Sequence, residues 1–147
     1  MLGKFVLLMV VLGLAFGAGL VLRLRRGTVR KVSVDPRTGR GRQLEPALAS
    51  TLGLPEPGAA RATLLQFSSA FCAPCRATRA ILGQVAATVP GVHHIEVDAE
   101  SHLDAVRALG VLSTPTTFVL DADLHIVNKA TGQPRKSDVL TALTTAL

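Results

Sequence analysis

Two cysteines are the whole thiol complement of this sequence, and they stand three positions apart in Phe71-Cys72-Ala73-Pro74-Cys75. A loop that short removes little unfolded-chain entropy, so a bond between them cannot staple a fold. Cysteines placed this way serve chemistry rather than scaffolding. A short apolar run over residues 62–67 precedes the motif, and helical spacing follows it over residues 74–89, with Ile81, Leu82, Val85 and Ala86 on one face. The pair therefore sits where a buried strand hands over to a helix. A thiol at a helix start feels the positive end of the dipole and unpaired backbone N–H groups, and both favour the thiolate, the reactive form. Cys72 is the expected nucleophile. Cys75, one turn on, is the expected resolving thiol, able to attack a mixed disulfide formed by Cys72. Ala73 and Pro74 make the loop between them, and Pro74 suits a first helical turn, where a missing N–H costs little.

C-x-x-C also supplies half of a tetrahedral zinc set. His93 and His94 could complete it on paper, but adjacent strand residues point to opposite faces, so both cannot easily reach one ion. A thiol metallochaperone carrying a soft metal through Cys72 and Cys75 is one alternative to an enzyme. A non-catalytic binding module is another.

The elements that position the pair follow a regular order. After the strand and helix around the motif, residues 92–97 alternate as a strand. Residues 101–109 read as a helix with Leu103, Val106 and Leu109 inward and Gly110 as its stop. Residues 116–120 and 125–130 read as strands joined through Asp121 and Asp123, and Ser137 can cap a last helix to Leu147. A βαβ unit followed by an antiparallel pair and a helix is an α/β arrangement with a mixed sheet flanked by helices. Before this core, residues 44–54 can form a helix that stops at Gly53 and Pro55, and residues 29–34 alternate weakly enough for a short edge strand. A proline entering a core strand breaks its ladder, so Pro115 in Ser113-Thr114-Pro115-Thr116 needs a special reason, and a cis Thr114–Pro115 bond would supply one.

With both motifs in hand, the region from about Leu64 to Leu147 resembles a thioredoxin domain. The matching pieces are Phe67, the Phe71–Cys75 motif, Val97-Asp98, Gly110-Val111, Thr114-Pro115-Thr116 and Gly132. The resemblance implies a thioredoxin fold and thiol–disulfide exchange with protein clients, as a protein-disulfide reductase. It implies no bound cofactor beyond a reversible Cys72–Cys75 disulfide, with electrons passing to or from a separate donor or acceptor. It places a cis Pro115 beside the cysteines, and the Thr114 backbone and the residue at Phe71 against an extended client segment. Three departures stand out. Phe71 replaces the family's usual Trp, and Ala73 its common Gly. Gln66 falls where many members bury an Asp that takes the resolving thiol's proton, and Gln is no base near neutral pH. His94 falls at the matching partner position, often Lys, and titrates in a useful range. Gln66 and His94 are therefore the candidate proton relay.

The remainder of the chain differs in character. The net charge is +6, yet residues 1–60 hold nine basic and three acidic residues, whereas residues 61–147 hold seven of each. The basicity belongs to the N-terminal part, and with neither Trp nor Tyr present the domain is not expected to bind nucleic acid. No residue between Lys4 and Arg23 carries a side-chain charge, and residues 5–22, 18 in all, are just enough to cross a hydrocarbon core. Ala15 and Gly17 could pass for a cleavage site, but the apolar run continues past them into an Arg cluster. The expected organisation is a transmembrane anchor over residues 1–22, a basic juxtamembrane linker over 23–43 and a thioredoxin-like domain over 44–147 with its core at 61–147. The lipid membrane is then a partner. The excess of Arg and Lys after the span puts the redox domain on the cytoplasmic side, although similar layouts also work outside the cytoplasm.

Overall fold

A computed structural model describes residues 2–25, 29–31 and 41–147. The elements in order are α1 (Leu2–Arg25), β1 (Val29–Lys31), α2 (Pro46–Thr51), β2 (Ala62–Ser68), α3 (Ala73–Thr88), β3 (Val92–Asp98), α4 (Leu103–Ala108), β4 (Thr116–Asp121), β5 (Ile126–Thr131) and α5 (Lys136–Ala146).

The strands form one mixed sheet in the order β1-β5-β4-β2-β3. Only β2 and β3 run parallel; β2–β4, β4–β5 and β1–β5 are antiparallel. Every residue of β2 is buried, the polar Thr63, Gln66 and Ser68 along with the apolar four, because the strand is covered on both faces. Its side chains alternate between two cores. Leu64 joins Leu82 and Val85 of α3 and Val139 and Leu143 of α5 on one face. Leu65 and Phe67 join Phe118, Leu120, Val97 and the side chains of α2 and α4 on the other. The Phe67 and Phe118 rings meet edge to face with centroids 6.0 Å apart, a favoured geometry for their quadrupoles. Lys129 ties β5 to the end of α4 on this second face: its ammonium donates to the Gly110 carbonyl at 2.7 Å and lies 5.2 Å from the Phe118 ring centroid.

The thioredoxin fold is thus confirmed, with some local corrections. Ser137 does not cap α5; Arg135 occupies the cap position with no side-chain bond, and Ser137 lies inside the helix. Leu103 is 52% exposed, and Ala105 takes the inward place on α4. Within the stretch expected to be linker, Val29–Lys31 is the edge strand β1. Gly41, Arg42 and Gln43 also join the sheet end, where Ile126 N donates to the Arg42 carbonyl at 2.9 Å and Gln43 bridges His125. The rest of that stretch lies outside the described residues. α1 is helical over 24 residues and exposes Val6, Leu7, Met9, Leu14 and Phe16. Among the described residues, no helix is long and apolar enough to cross a membrane, so the structure does not show the span expected over residues 1–22.

Candidate functional site

The chain leaves β2 at Ser68, turns through four residues and enters α3 with Cys72 as its N-cap. Phe71 makes the turn with φ 58°, a left-handed conformation that costs a non-glycine residue roughly 1–2 kcal/mol. The turn throws its ring fully into solvent, at 102% relative exposure. Cys72 and Cys75 form a disulfide with an S–S distance of 2.00 Å. Cys72 is half-buried, whereas Cys75 is 2% exposed. The Cys75 backbone N–H donates to Cys72 Sγ at 3.2 Å, and no acidic residue stands in the first turn of α3. The same N–H also reaches the Cys72 carbonyl at 3.1 Å, and a helix N-terminus that turns an N–H toward one sulfur favours negative charge on that sulfur. Pro74 falls in the first turn, as its missing N–H requires.

The second loop comes from the start of β4. Thr114–Pro115 is cis, and Pro115 is buried. Ser69, three residues before Cys72, shares a 2.8 Å hydrogen bond between its Oγ and Thr114 Oγ1. Thr116 Oγ1 donates to the Ser113 carbonyl and Gly132 N to the Pro115 carbonyl, both at 2.7 Å. Leu112, at 95% exposure, is the other large apolar side chain presented at this end. The cysteine turn and the cis-proline loop are therefore brought side by side.

Beneath the pair lies a buried polar layer on the α3 face of the sheet. Gln66 Nε2 faces the Cys75 carbonyl at 3.0 Å, Ser68 Oγ at 2.7 Å and Glu96 Oε1 at 3.3 Å. A carbonyl and a carboxylate can only accept, so the amide nitrogen must be the atom on that side. Gln66 Oε1 then faces His94 Nε2 at 3.1 Å, and the histidine donates. Burial pushes the His94 pKa down, the nearby Glu96 charge opposes that shift, and Arg79 adds to it. Gln66 and His94 are thus joined, with His94 Nε2 already carrying its proton.

Glu96 is the residue that sequence reasoning missed. It is the register partner of Gln66 on β3. Its carboxylate accepts Ser68 Oγ at 2.6 Å and is gripped by Arg79 from α3 through Nε and, at 2.9 Å, Nη2. The signal available was the i, i+4 placement of Arg79 after Cys75, which aims that guanidinium beneath the pair. Burial alone would push the Glu96 carboxyl up, but the hydrogen bonds from Arg79 and Ser68 and the Arg79 charge more than reverse this. A carboxyl held below its ordinary value contributes stability that is present above its unfolded pKa and is lost as pH falls through the folded one. Glu96→Gln should therefore flatten the acid limb of the stability curve below about pH 4.5, as measured by urea midpoints. An unchanged acid limb would show that other carboxyls dominate it.

Among the described residues, no group of three or more His, Cys, Asp or Glu side chains is placed to hold a metal ion. His93 is exposed while His94 turns toward Gln66, so the two do not converge on the cysteines.

No curated protein matches the chain. Solved structures do, at low identity. Mitochondrial thioredoxin 3 from Saccharomyces cerevisiae, in its oxidised form, is 17% identical with a TM-score of 0.56, over 67% of this chain and 89% of that one. A mutant thioredoxin from Halobacterium salinarum is 14% identical with a TM-score of 0.56, over 71% and 86%. Thioredoxin from Fasciola hepatica is 20% identical with a TM-score of 0.53, over 61% and 85%. These likenesses establish the fold. The family model for thioredoxin matches residues 57–145, a span that takes in the disulfide, the cis-proline loop and the polar layer between them. Thioredoxin-family proteins act on the thiols and disulfides of other proteins, and the close cysteine pair here makes this a thiol–disulfide oxidoreductase: the chain belongs to the thioredoxin family.

Proposed function

We propose that this chain is a membrane-anchored reductant of protein disulfides. The observation that carries the assignment of roles is the asymmetry of the pair: Cys72 is only half-buried and receives a helix N–H on its sulfur, while Cys75 is buried at 2% exposure. The Cys72 thiolate attacks one sulfur of a client disulfide; that S–S bond breaks and the departing client sulfur takes a proton. Cys75 gives up its own proton and attacks Cys72 Sγ. The mixed disulfide breaks, the second client sulfur leaves and is protonated, and the Cys72–Cys75 bond forms. Two electrons and two protons reach the client, and a separate dithiol donor restores the pair.

The exposed Phe71 ring, Leu112 and the Thr114–Pro115 loop would receive an extended client segment, with the Thr114 backbone pairing to it as an added strand. Gln66 holds the polar layer against the Cys75 carbonyl, and Glu96, not an Asp on β2, is the carboxylate this chain presents below the resolving thiol. Insulin reduction by the full chain in mild detergent, with dithiothreitol as donor, tests the reading. Stoichiometric metal uptake without turnover would overturn it.

The anchor reading rests on the uncharged run over residues 5–22 and on the helical course and exposed apolar side chains of α1. One lysine precedes that run, whereas Arg23, Arg25, Arg26, Arg30 and Lys31 follow it closely. Cationic flanks resist translocation, so the domain faces the cytoplasm, where thiols are kept reduced and a reductant's role is natural. A C-terminal fluorescent-protein fusion should glow and an alkaline phosphatase fusion should be inactive. The converse pair of results would place the domain outside.

A further inference from the structure

The register of β1 carries a consequence for where the redox site stands. β1 is antiparallel to β5 and begins with Val29 opposite Ala130. The next residue of β5, Thr131, pairs with Thr116, which follows the cis Pro115. Thr116 in turn pairs with Phe67, one residue from the end of β2 that leads to the cysteines. The chain therefore enters the sheet at its redox end. α1 stops at Arg25, so four Cα steps separate its last residue from Val29, a reach of roughly 14 Å at most. From β1 to β2 is three strand spacings, about another 14 Å. The opposite end of the sheet, at Ile126 and Gly41, lies a further 17 Å or so along β5.

We propose that this short link holds the redox end of the domain against the bilayer surface, so that the clients are disulfides in the membrane-adjacent segments of other proteins rather than in soluble ones. The proposal rests on the anchor reading above and adds to it an orientation and a substrate class. A segment leaving a bilayer is apolar near its membrane end, and Phe71 and Leu112, the two most exposed large apolar side chains among the described residues outside α1, stand at this same end. They offer such a segment apolar surface beside Cys72. The exchange step is unchanged: the client disulfide gains two electrons and two protons, the dithiol becomes the Cys72–Cys75 disulfide, and a dithiol donor restores it.

The test uses the full chain in phosphatidylcholine vesicles with dithiothreitol as donor. Two single-span peptides carry the same two-cysteine disulfide loop, one directly after the span and one beyond a long Gly/Ser spacer. The near loop should be reduced at least about tenfold faster, because tethering raises its effective concentration at the site. Inserting a long Gly/Ser segment after Gly27 should abolish that preference while leaving insulin reduction at least as fast. Equal rates for the two loops in the unaltered chain, or a preference that survives the insertion, would overturn the proposal. Flotation with the vesicles is measured alongside. A chain that fails to float sinks the anchor and this proposal with it, whereas a chain that floats and shows equal rates sinks this proposal alone.

Discussion

A full chain in which Cys72 is replaced by serine should reduce insulin no faster than the dithiothreitol in the assay does by itself. The chemical reason is that the attacking species is a thiolate, and a serine hydroxyl does not ionise near neutral pH. The structural reason is that little else changes. Cys72 is the N-cap of α3, and its sulfur accepts the Cys75 N–H at 3.2 Å. Serine is among the preferred N-cap residues and accepts the same bond through Oγ. Stability should therefore stay within about 1 kcal/mol of the C72S variant's reduced parent, and the loss reads as chemistry. Cys75→Ser should behave differently. Cys72 still attacks, but nothing resolves the product, so one client per chain accumulates as a mixed disulfide visible on a non-reducing gel. Mixed disulfide trapped in the Cys72 variant and not in the Cys75 variant would exchange the two roles, and turnover retained in the Cys72 variant would remove Cys72 from the chemistry.

Much of this site was legible because its determinants are local. A strand-to-helix junction, a Pro in the first turn and two cysteines one turn apart are all properties of consecutive residues, and α3 runs over Ala73–Thr88 where the spacing over residues 74–89 put it. The cis proline was legible because a Pro at the head of a core strand is anomalous by itself. Glu96 was not, because its importance arises from pairing. It matters only once β3 is laid parallel to β2 in the register that sets it beside Gln66, and nothing in its own neighbourhood encodes that register. Leu103 failed for a related reason: helical spacing gives a face, but the six residues of α4 are too few to say which face the sheet will cover. The edge strand β1 was foreseen from weak alternation. Its partner β5, and therefore the end at which the chain enters the sheet, came only with the topology.

Gly41 shows the same limit from the side of packing, and it carries the second large expectation. In sequence it is one glycine among Arg-Gly repeats at the end of a basic stretch. In the fold it is buried against β5, where an added Cβ would lie 1.8 Å from the Ile126 carbonyl oxygen and 2.8 Å from its carbon. Both atoms are backbone, fixed by the strand, so neither can yield as a side chain would. Gly41→Ala must then displace its own segment. What holds that segment is the Ile126 N–H bond to the Arg42 carbonyl at 2.9 Å, the Leu44 N–H bond to the Leu124 carbonyl at 3.0 Å, the side-chain bonds from Arg42 Nη2 to the Ala108 carbonyl and from Gln43 Nε2 to the Asp123 carbonyl, both at 2.9 Å, and the burial of Leu44 to 4% exposure. Those contacts also cap the loss, since complete detachment costs no more than they supply: about 1 kcal/mol for each hydrogen bond and roughly 2 for the leucine. A destabilisation of about 3 kcal/mol is expected, which is a fall of roughly 15 °C in Tm for a domain of this size. Because Gly41 packs at the end of β5 remote from Thr131 and the cis-proline loop, the rate of insulin reduction at a temperature where the domain is folded should be unaltered. A variant with a wild-type Tm would mean that the sheet end yields more readily than its backbone contacts imply. A variant with normal Tm and impaired reduction would place Gly41 in communication with a site that lies, by the strand register, at the other end of the sheet.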